Sequence, residues 1–274
     1  MRFLATLTFF ALLATASANT PEPFYGLQAY VTSFTSVDGR SVNSEELLQL
    51  VHKLSEKQEK FGSKTAFVDY LFSKTRQRFL RNYTDYATFS ETISTGTYNC
   101  LTGTALYALL LDQFHIPYQV IETNYHIFLV AQTENGRVLL EATDAQNGFV
   151  VGETNIESRI KEYRQGLPSK NDRGKTYYQY DVALYKEVTL DELTGLLYYN
   201  RAVVAYNRHD LPGAIEKLVK SAERYQSPRT AEFAAILQIT VAESKLSDDE
   251  KQEYLREIRR LRASAVTLSA RGDH

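Results

Sequence analysis

The chain has 274 residues, enough to bury a substantial core in one large domain or two ordinary ones. Apolar residues make up 43% and charged residues 23%, the balance of a globular protein rather than a fibrous or disordered one. The net charge of −2, with both signs interspersed, offers no basic stripe for nucleic acid and no polybasic surface for anionic lipid.

The first residues carry a targeting pattern. Arg2 supplies a short positive start, Phe3 to Leu13 form an apolar stretch, and Ala16-Ser17-Ala18 fits the small-x-small cleavage rule. The expectation is a signal peptide over 1–18, a mature start at Asn19 and an exported protein, periplasmic or secreted. The apolar run is short for a membrane anchor and no second one follows, so no stable membrane insertion is expected.

Export sharpens the meaning of the cysteine count. There is one, Cys100. Exported proteins usually spend cysteines in pairs, so a lone thiol points to reactivity or to a small buried hydrophobe.

Residues 19–43 are rich in Thr, Ser, Pro and Gly and read as an extended lead-in. Ser44-Glu45-Glu46 starts a helix with Leu47, Leu48, Val51 and Leu54 at helical spacing; His52 within it reads as an ordinary surface residue. A second helix covers about Thr65 to Leu80, with Phe67, Val68, Leu71, Phe72 and Phe79 facing inward. Asn82-Tyr83-Thr84 matches a glycosylation acceptor. Phe89 to Asn99 is polar and is broken at Gly96.

A helix apolar nearly all round then runs from Cys100 to about Phe114, the pattern of a buried central helix. Cys100 lies at its start, where unpaired amides and the positive dipole end favour a thiolate and can hold an oxyanion. Pro117 opens a strand over Tyr118 to Glu122, a second covers Tyr125 to Ala131, and Glu134-Asn135-Gly136 signals a hairpin into a third, Arg137 to Ala142. One helix followed by an antiparallel meander is an α+β pattern. The second strand brings His126, and Glu141 and Asp144 follow in or just after the third. A thiol, an imidazole and a carboxylate are the parts of an activated nucleophile.

In this order, Asn99-Cys100, the helix Ala105 to Leu111, Ile116-Pro117 into a strand, Tyr125-His126 and Glu141-Ala142-Thr143 resemble the transglutaminase-like superfamily, over about fifty residues. The resemblance implies a papain-like core over 44–186, with Cys100 as nucleophile, His126 as base, an acid orienting the imidazole, and Asn99 supporting the oxyanion. Three features depart from the family pattern. His115 stands where Gly is common before Ile-Pro, and is read as a structural left-handed residue. Glu141 stands where Asp is usual, with Asp144 a rival of the usual type. There is also no acidic loop for calcium.

Strand parity separates the two acids: a hairpin loop with an even number of residues puts Glu141 on the His126 face, an odd number Asp144. A loop from Thr133 to Gly136 sets Thr143 opposite His126 and Glu141 diagonal to it, which favours Glu141 and leaves Asp144 open.

Beyond Asn147, Gly148 to Val151 suggests a strand, Glu157 to Tyr163 a short helix, and Gln165 to Gly174 a surface loop. Tyr177, Tyr178 and Tyr180 pack on the core or line a cleft. Thr189 to Glu192 reads as a capping box. It opens an all-helical region over 187–274, in which Tyr198, Ala202, Ala205-Tyr206, Asp210, Ala214, Leu218 and Ala222 follow tetratricopeptide-repeat spacing. So short an array is expected to dock on the preceding core.

The functional expectation is an exported thiol enzyme acting on an amide or ester carbonyl of a peptide or protein through an acyl-enzyme, by hydrolysis rather than cross-linking. The alternative is a catalytically silent module that binds a protein partner, for which the C-terminal helices leave room. No cofactor is implied. A metal reading of Cys100, His115 and His126 lacks any HExxH or paired-Cys spacing.

Overall fold

The computed structural model describes residues 25–165 and 184–269. The expected signal segment, part of the loop after Gln165, and Tyr177, Tyr178 and Tyr180 lie outside the described residues. Ten helices and seven strands are described: α1 (Tyr25–Ser36), α2 (Glu45–Gln58), α3 (Lys64–Phe79), β1 (Asn82–Tyr83), α4 (Phe89–Thr95), β2 (Thr97–Tyr98), α5 (Cys100–Gln113), β3 (Tyr118–Thr123), β4 (Ile127–Thr133), β5 (Gly136–Leu140), β6 (Phe149–Val151), α6 (Glu153–Arg164), β7 (Tyr185–Val188), α7 (Leu190–Asn207), α8 (Leu211–Ala222), α9 (Pro228–Glu243) and α10 (Asp248–Ser269). The architecture is α+β. None of the described helices is long and apolar enough to cross a membrane.

The sheet is five-stranded and antiparallel, in the order β6-β5-β4-β3-β7. Side chains alternate across it as a pleated strand requires. Val120, Leu129, Ala131, Val138 and Leu140 join the main core on the α5 side, whereas Ile121, Phe128, Val130 and Leu139 pack with Ile156 and Ile160 of α6 on the other. Both faces are therefore covered, and the middle strands read as continuous apolar runs.

Helix α5 is enclosed because it is apolar all round. Leu101 through Leu111 are all buried. At its far end His115 takes a left-handed φ of 52°, and the amides of His115 and Ile116 bond back to Asp112 and Leu111 at 3.0 Å each, turning the chain into β3.

Several local expectations are corrected. The expected extended lead-in is helix α1 from Tyr25 on, with Leu27, Val31 and Phe34 buried at helical spacing, while Gln28, Thr32 and Ser36 lie on the exposed face. Phe89–Thr95 forms a regular element, α4, because Thr88 and Glu91 make a capping box and Gly96 closes the helix at φ 71°. Ser44 holds the N-cap position of α2 without a side-chain bond, and Asn43 Oδ1 accepts from the Glu45 amide at 2.8 Å instead. Helix α6 begins four residues before the expected start, and strand β7 had no periodic signal in so short a run.

The C-terminal helices share the main core rather than standing apart. Leu193, Leu196 and Leu197 of α7 and Leu218 of α8 belong to the same apolar cluster as α5. A Cβ on Gly195 would lie 2.4 Å from that of Tyr225, so its lack of a side chain lets the start of α7 meet the end of α8. The Thr189–Glu192 capping box is formed and launches α7 directly from β7.

Candidate active site

The local sequence places Cys100 before any tertiary contact does. Asn99, in an extended conformation, caps α5: its Oδ1 accepts from the Thr102 amide at 2.9 Å, and Thr102 Oγ1 accepts from the Asn99 amide at 3.0 Å. Cys100 is thus the first residue of the helix, half-buried and free of any disulfide. The strand pair β1–β2 fixes the approach, with Tyr83 opposite Tyr98 and the Thr84 amide donating to Tyr98 O at 2.9 Å.

His126, expected within the second strand, lies instead in the turn between β3 and β4, because pairing with β3 begins only at Ile127. The Thr123 amide donates to His126 O at 2.7 Å, and the His126 amide donates to Thr123 Oγ1 at 3.2 Å, so the turn is closed from both sides. The imidazole hydrogen-bonds to Glu141 Oε2 through Nε2, and Cys100 lies near enough to contribute to the electrostatics of the ring. A thiol, an imidazole and a carboxylate accordingly meet at the end of the sheet where β4 starts and β5 stops.

The register explains which acid arrives there. β4 and β5 pair Thr133 with Gly136 and Leu129 with Leu140, so the turn proper is Glu134-Asn135 and its parity is even. Glu141 is 2% exposed, and its other oxygen, Oε1, accepts from the Thr143 amide at 2.9 Å and the Thr143 hydroxyl at 2.6 Å. Asp144 is engaged elsewhere. Its Oδ1 accepts from the amides of Gln146 and Asn147, and its Oδ2 accepts from Arg159 Nη1 at 3.2 Å. The Glu141 amide donates to Gly148 O at 2.7 Å, closing this loop so tightly that a Cβ at Gly148 would lie 2.3 Å from Glu141 O.

Electrostatics follow from this enclosure. Burial alone would disfavour a charged imidazole, but the Glu141 carboxylate and the hydrogen bonds with Cys100 and Glu141 outweigh it, raising the His126 pKa to about 10. Burial would likewise raise the Glu141 pKa, yet the imidazolium and the bonds from His126 and Thr143 hold it well below the ordinary carboxylate range. The pair is therefore an ionised imidazolium–carboxylate at neutral pH.

Asn99 requires a correction. Both protons of its amide nitrogen are committed, to Asp85 O at 3.1 Å and Ala87 O at 3.2 Å, so it supports the helix start and has none left for an oxyanion. The first amides of α5 remain the donors suited to that task.

Three residues escaped the sequence reading. Tyr163 of α6 donates its hydroxyl to Glu141 Oε2 at 3.0 Å and lays its ring 4.7 Å from that of His126. Its spacing from Ile156 and Ile160 marks it as inward-facing, but nothing local says against what. Arg159 holds Asp144, tying the loop to the helix. Gly103, one turn after Cys100, brings α5 against the end of β5: a Cβ there would sit 2.7 Å from that of Ala142. An isolated Gly inside an otherwise apolar helix was the available signal.

Among the described residues no group of three or more His, Cys, Asp and Glu side chains is placed to hold a metal ion. Fold and site together define an α+β protein with a thiol at a helix start beside an imidazole that is hydrogen-bonded to a buried carboxylate. Comparison with family models, curated proteins and solved structures returns no match.

Proposed function

We propose that the chain is an exported transglutaminase-like thiol enzyme that acts on an amide or ester carbonyl of a peptide or protein, with water as the usual acceptor. The observation that carries this reading is the His126–Glu141 hydrogen bond set beside Cys100 at the start of a buried helix.

In this mechanism the Cys100 sulfur, its proton held on His126, attacks the carbonyl carbon. The negative oxygen of the tetrahedral intermediate lies against backbone N–H groups at the start of α5. Collapse breaks the bond to the leaving amine or alcohol, which takes the proton from His126, and Cys100 is left as a thioester. Water then attacks the thioester, giving its proton to His126. The acid leaves as the carbon–sulfur bond breaks, and the Cys100 sulfur and protonated His126 of the starting state are restored. Glu141 stays ionised throughout and orients the ring.

The test is alkylation of the native protein by iodoacetamide across pH, comparing wild type with His126→Ala, followed by mass spectrometry after exposure to p-nitrophenyl acetate. The expected result is fast, His126-dependent labelling and a mass increase of one acetyl group on Cys100. Equal, slow labelling of both proteins with no acetyl adduct would remove the enzyme reading.

A further inference from the structure

A buried charge cluster joins the C-terminal helices to the strand that leads into His126, and the thiol chemistry does not use it. Glu122, on β3, is 1% exposed. It faces Ile127 of β4 on one side and Lys186 of β7 on the other. Its oxygens accept from Tyr225 Oη at 2.5 Å and from Arg229 Nη1 at 2.6 Å. Arg229 sits in the first turn of α9 and also donates, through Nη2, to the carbonyl of Asn124. Asn124 is two residues before His126. Lys186 completes the cluster from below, donating to Glu192 Oε1 at 2.5 Å and Gln226 O at 2.7 Å while lying 4.9 Å over the Tyr225 ring.

The arrangement is costly unless it does something specific. A carboxylate this deep is disfavoured by burial, which raises its pKa, and the Arg229 and Tyr225 contacts act against that shift. A pair of apolar side chains would fill the same junction at less risk. What an apolar pair could not supply is a planar fork with one arm on the strand and the other on the turn.

We propose that Arg229 is a positioning residue for His126: by gripping the Glu122 carboxylate and the Asn124 carbonyl together, it sets the β3–β4 turn from which the imidazole reaches Cys100. The helical region is then a working part of the active site and not a detachable binding appendage. The role assigned to the imidazole rests on the thiol-enzyme reading; the mechanical tie to the turn does not.

The experiment uses the full chain, with Arg229→Met and Tyr225→Phe each checked for folding by circular dichroism and melting. Hydrogen exchange at the Thr123 and His126 amides reads the turn directly, because both amides are bonded within it. Arg229→Met is expected to speed their exchange about tenfold or more relative to the sheet centre, while Tyr225→Phe, which leaves the Asn124 contact intact, is not. Iodoacetamide labelling of Cys100 then forms a double-mutant cycle with His126→Ala. Arg229→Met is expected to slow labelling in the wild-type background and to have no further effect in the His126→Ala background.

Unchanged turn exchange in folded Arg229→Met overturns the proposal, whatever the chemistry of Cys100. Faster exchange with unaltered labelling overturns the link to His126 and leaves only a structural clamp. If Arg229→Met does not fold, Arg229→Lys replaces it. Lys reaches one acceptor at a time, so its turn should loosen in the same assay, and a turn as rigid as wild type counts against the proposal. Labelling that is independent of His126 in wild type defeats the thiol-enzyme reading and, with it, the link to the imidazole, while the exchange comparison still decides the clamp.

Discussion

Replacing Glu141 by Gln preserves shape and volume while removing one charge from the centre of the site. The carboxylate is 2% exposed and accepts from His126 Nε2, Tyr163 Oη and Thr143. The amide keeps one oxygen and presents an NH2 group to at least one partner that also donates, so the imidazolium loses its counterion and only Cys100 is left to oppose burial. The His126 pKa should therefore fall from about 10 toward its ordinary 6.5. Breaking one side of a buried ion pair costs about 3 kcal/mol at the low end. For a domain of this size that is a drop of roughly 6–12 °C in Tm. NMR titration of the His126 ring, melting, and iodoacetamide labelling of Cys100 at neutral pH report the three consequences, with labelling expected to slow at least about tenfold. Asp144→Asn is the control. Asp144 is partly exposed and pairs with Arg159, so the loop should lose about 1 kcal/mol or less, with the His126 titration unmoved. A His126 midpoint that ignores Glu141→Gln, or one that responds equally to Asp144→Asn, would refute the assignment of the buried partner.

Gly103→Ala drives a methyl against Ala142 at the end of β5 and should cost about 1–3 kcal/mol while slowing Cys100 labelling; Gly62→Ala, with nothing within 4 Å of the new carbon, should leave the labelling rate unchanged. Tyr163→Phe keeps the ring against His126 and Phe128 but removes the donor to Glu141, so melting should report a loss of about 1.5–3 kcal/mol and labelling should fall by less than in Glu141→Gln. The pH dependence of the stability gap between wild type and Glu141→Gln has a definite sign. His126, with its pKa raised, contributes stability below 6.5 that is lost as pH rises toward about 10, and Glu141, with its pKa lowered, contributes stability above 4.5 that is lost on acidification. The gap measured by melting should therefore be widest near pH 5–6 and shrink on both sides; a gap that keeps growing above pH 8 would contradict the pairing.

The parts of the fold that local patterns specify were legible in the chain. The all-apolar run after Cys100 permits only an enclosed helix, and its cap begins at Asn99 because an amide followed three residues later by Thr102 satisfies both helix-start amides. Pro117 and the Glu134-Asn135-Gly136 turn bracket β3 and β4, and the even parity of that turn already aligned Glu141 with the His126 face. His115 could be read as left-handed because it lies between the helix end and Ile116-Pro117, where the chain must reverse. These are short-range constraints, set by side-chain period, capping and turn geometry.

Only the tertiary structure decided the rest. Parity favours Glu141, but Asp144 is removed from contention by Arg159, which reaches it from a helix fifteen residues away. Asn99 has the chemistry of an oxyanion donor in sequence and loses it to two carbonyls of the preceding loop. Tyr163 and Arg229 reach the Glu141–His126 pair and its turn from α6 and α9, by contacts that span 22 and 105 residues of chain. No periodicity carries such information, because which buried donor meets which buried acceptor depends on how helices seat on the sheet. The sequence by itself determined a thiol at a helix start, an imidazole further along and a turn parity that favours Glu141; packing determined that Asp144 is engaged elsewhere and that an arginine holds the imidazole's turn.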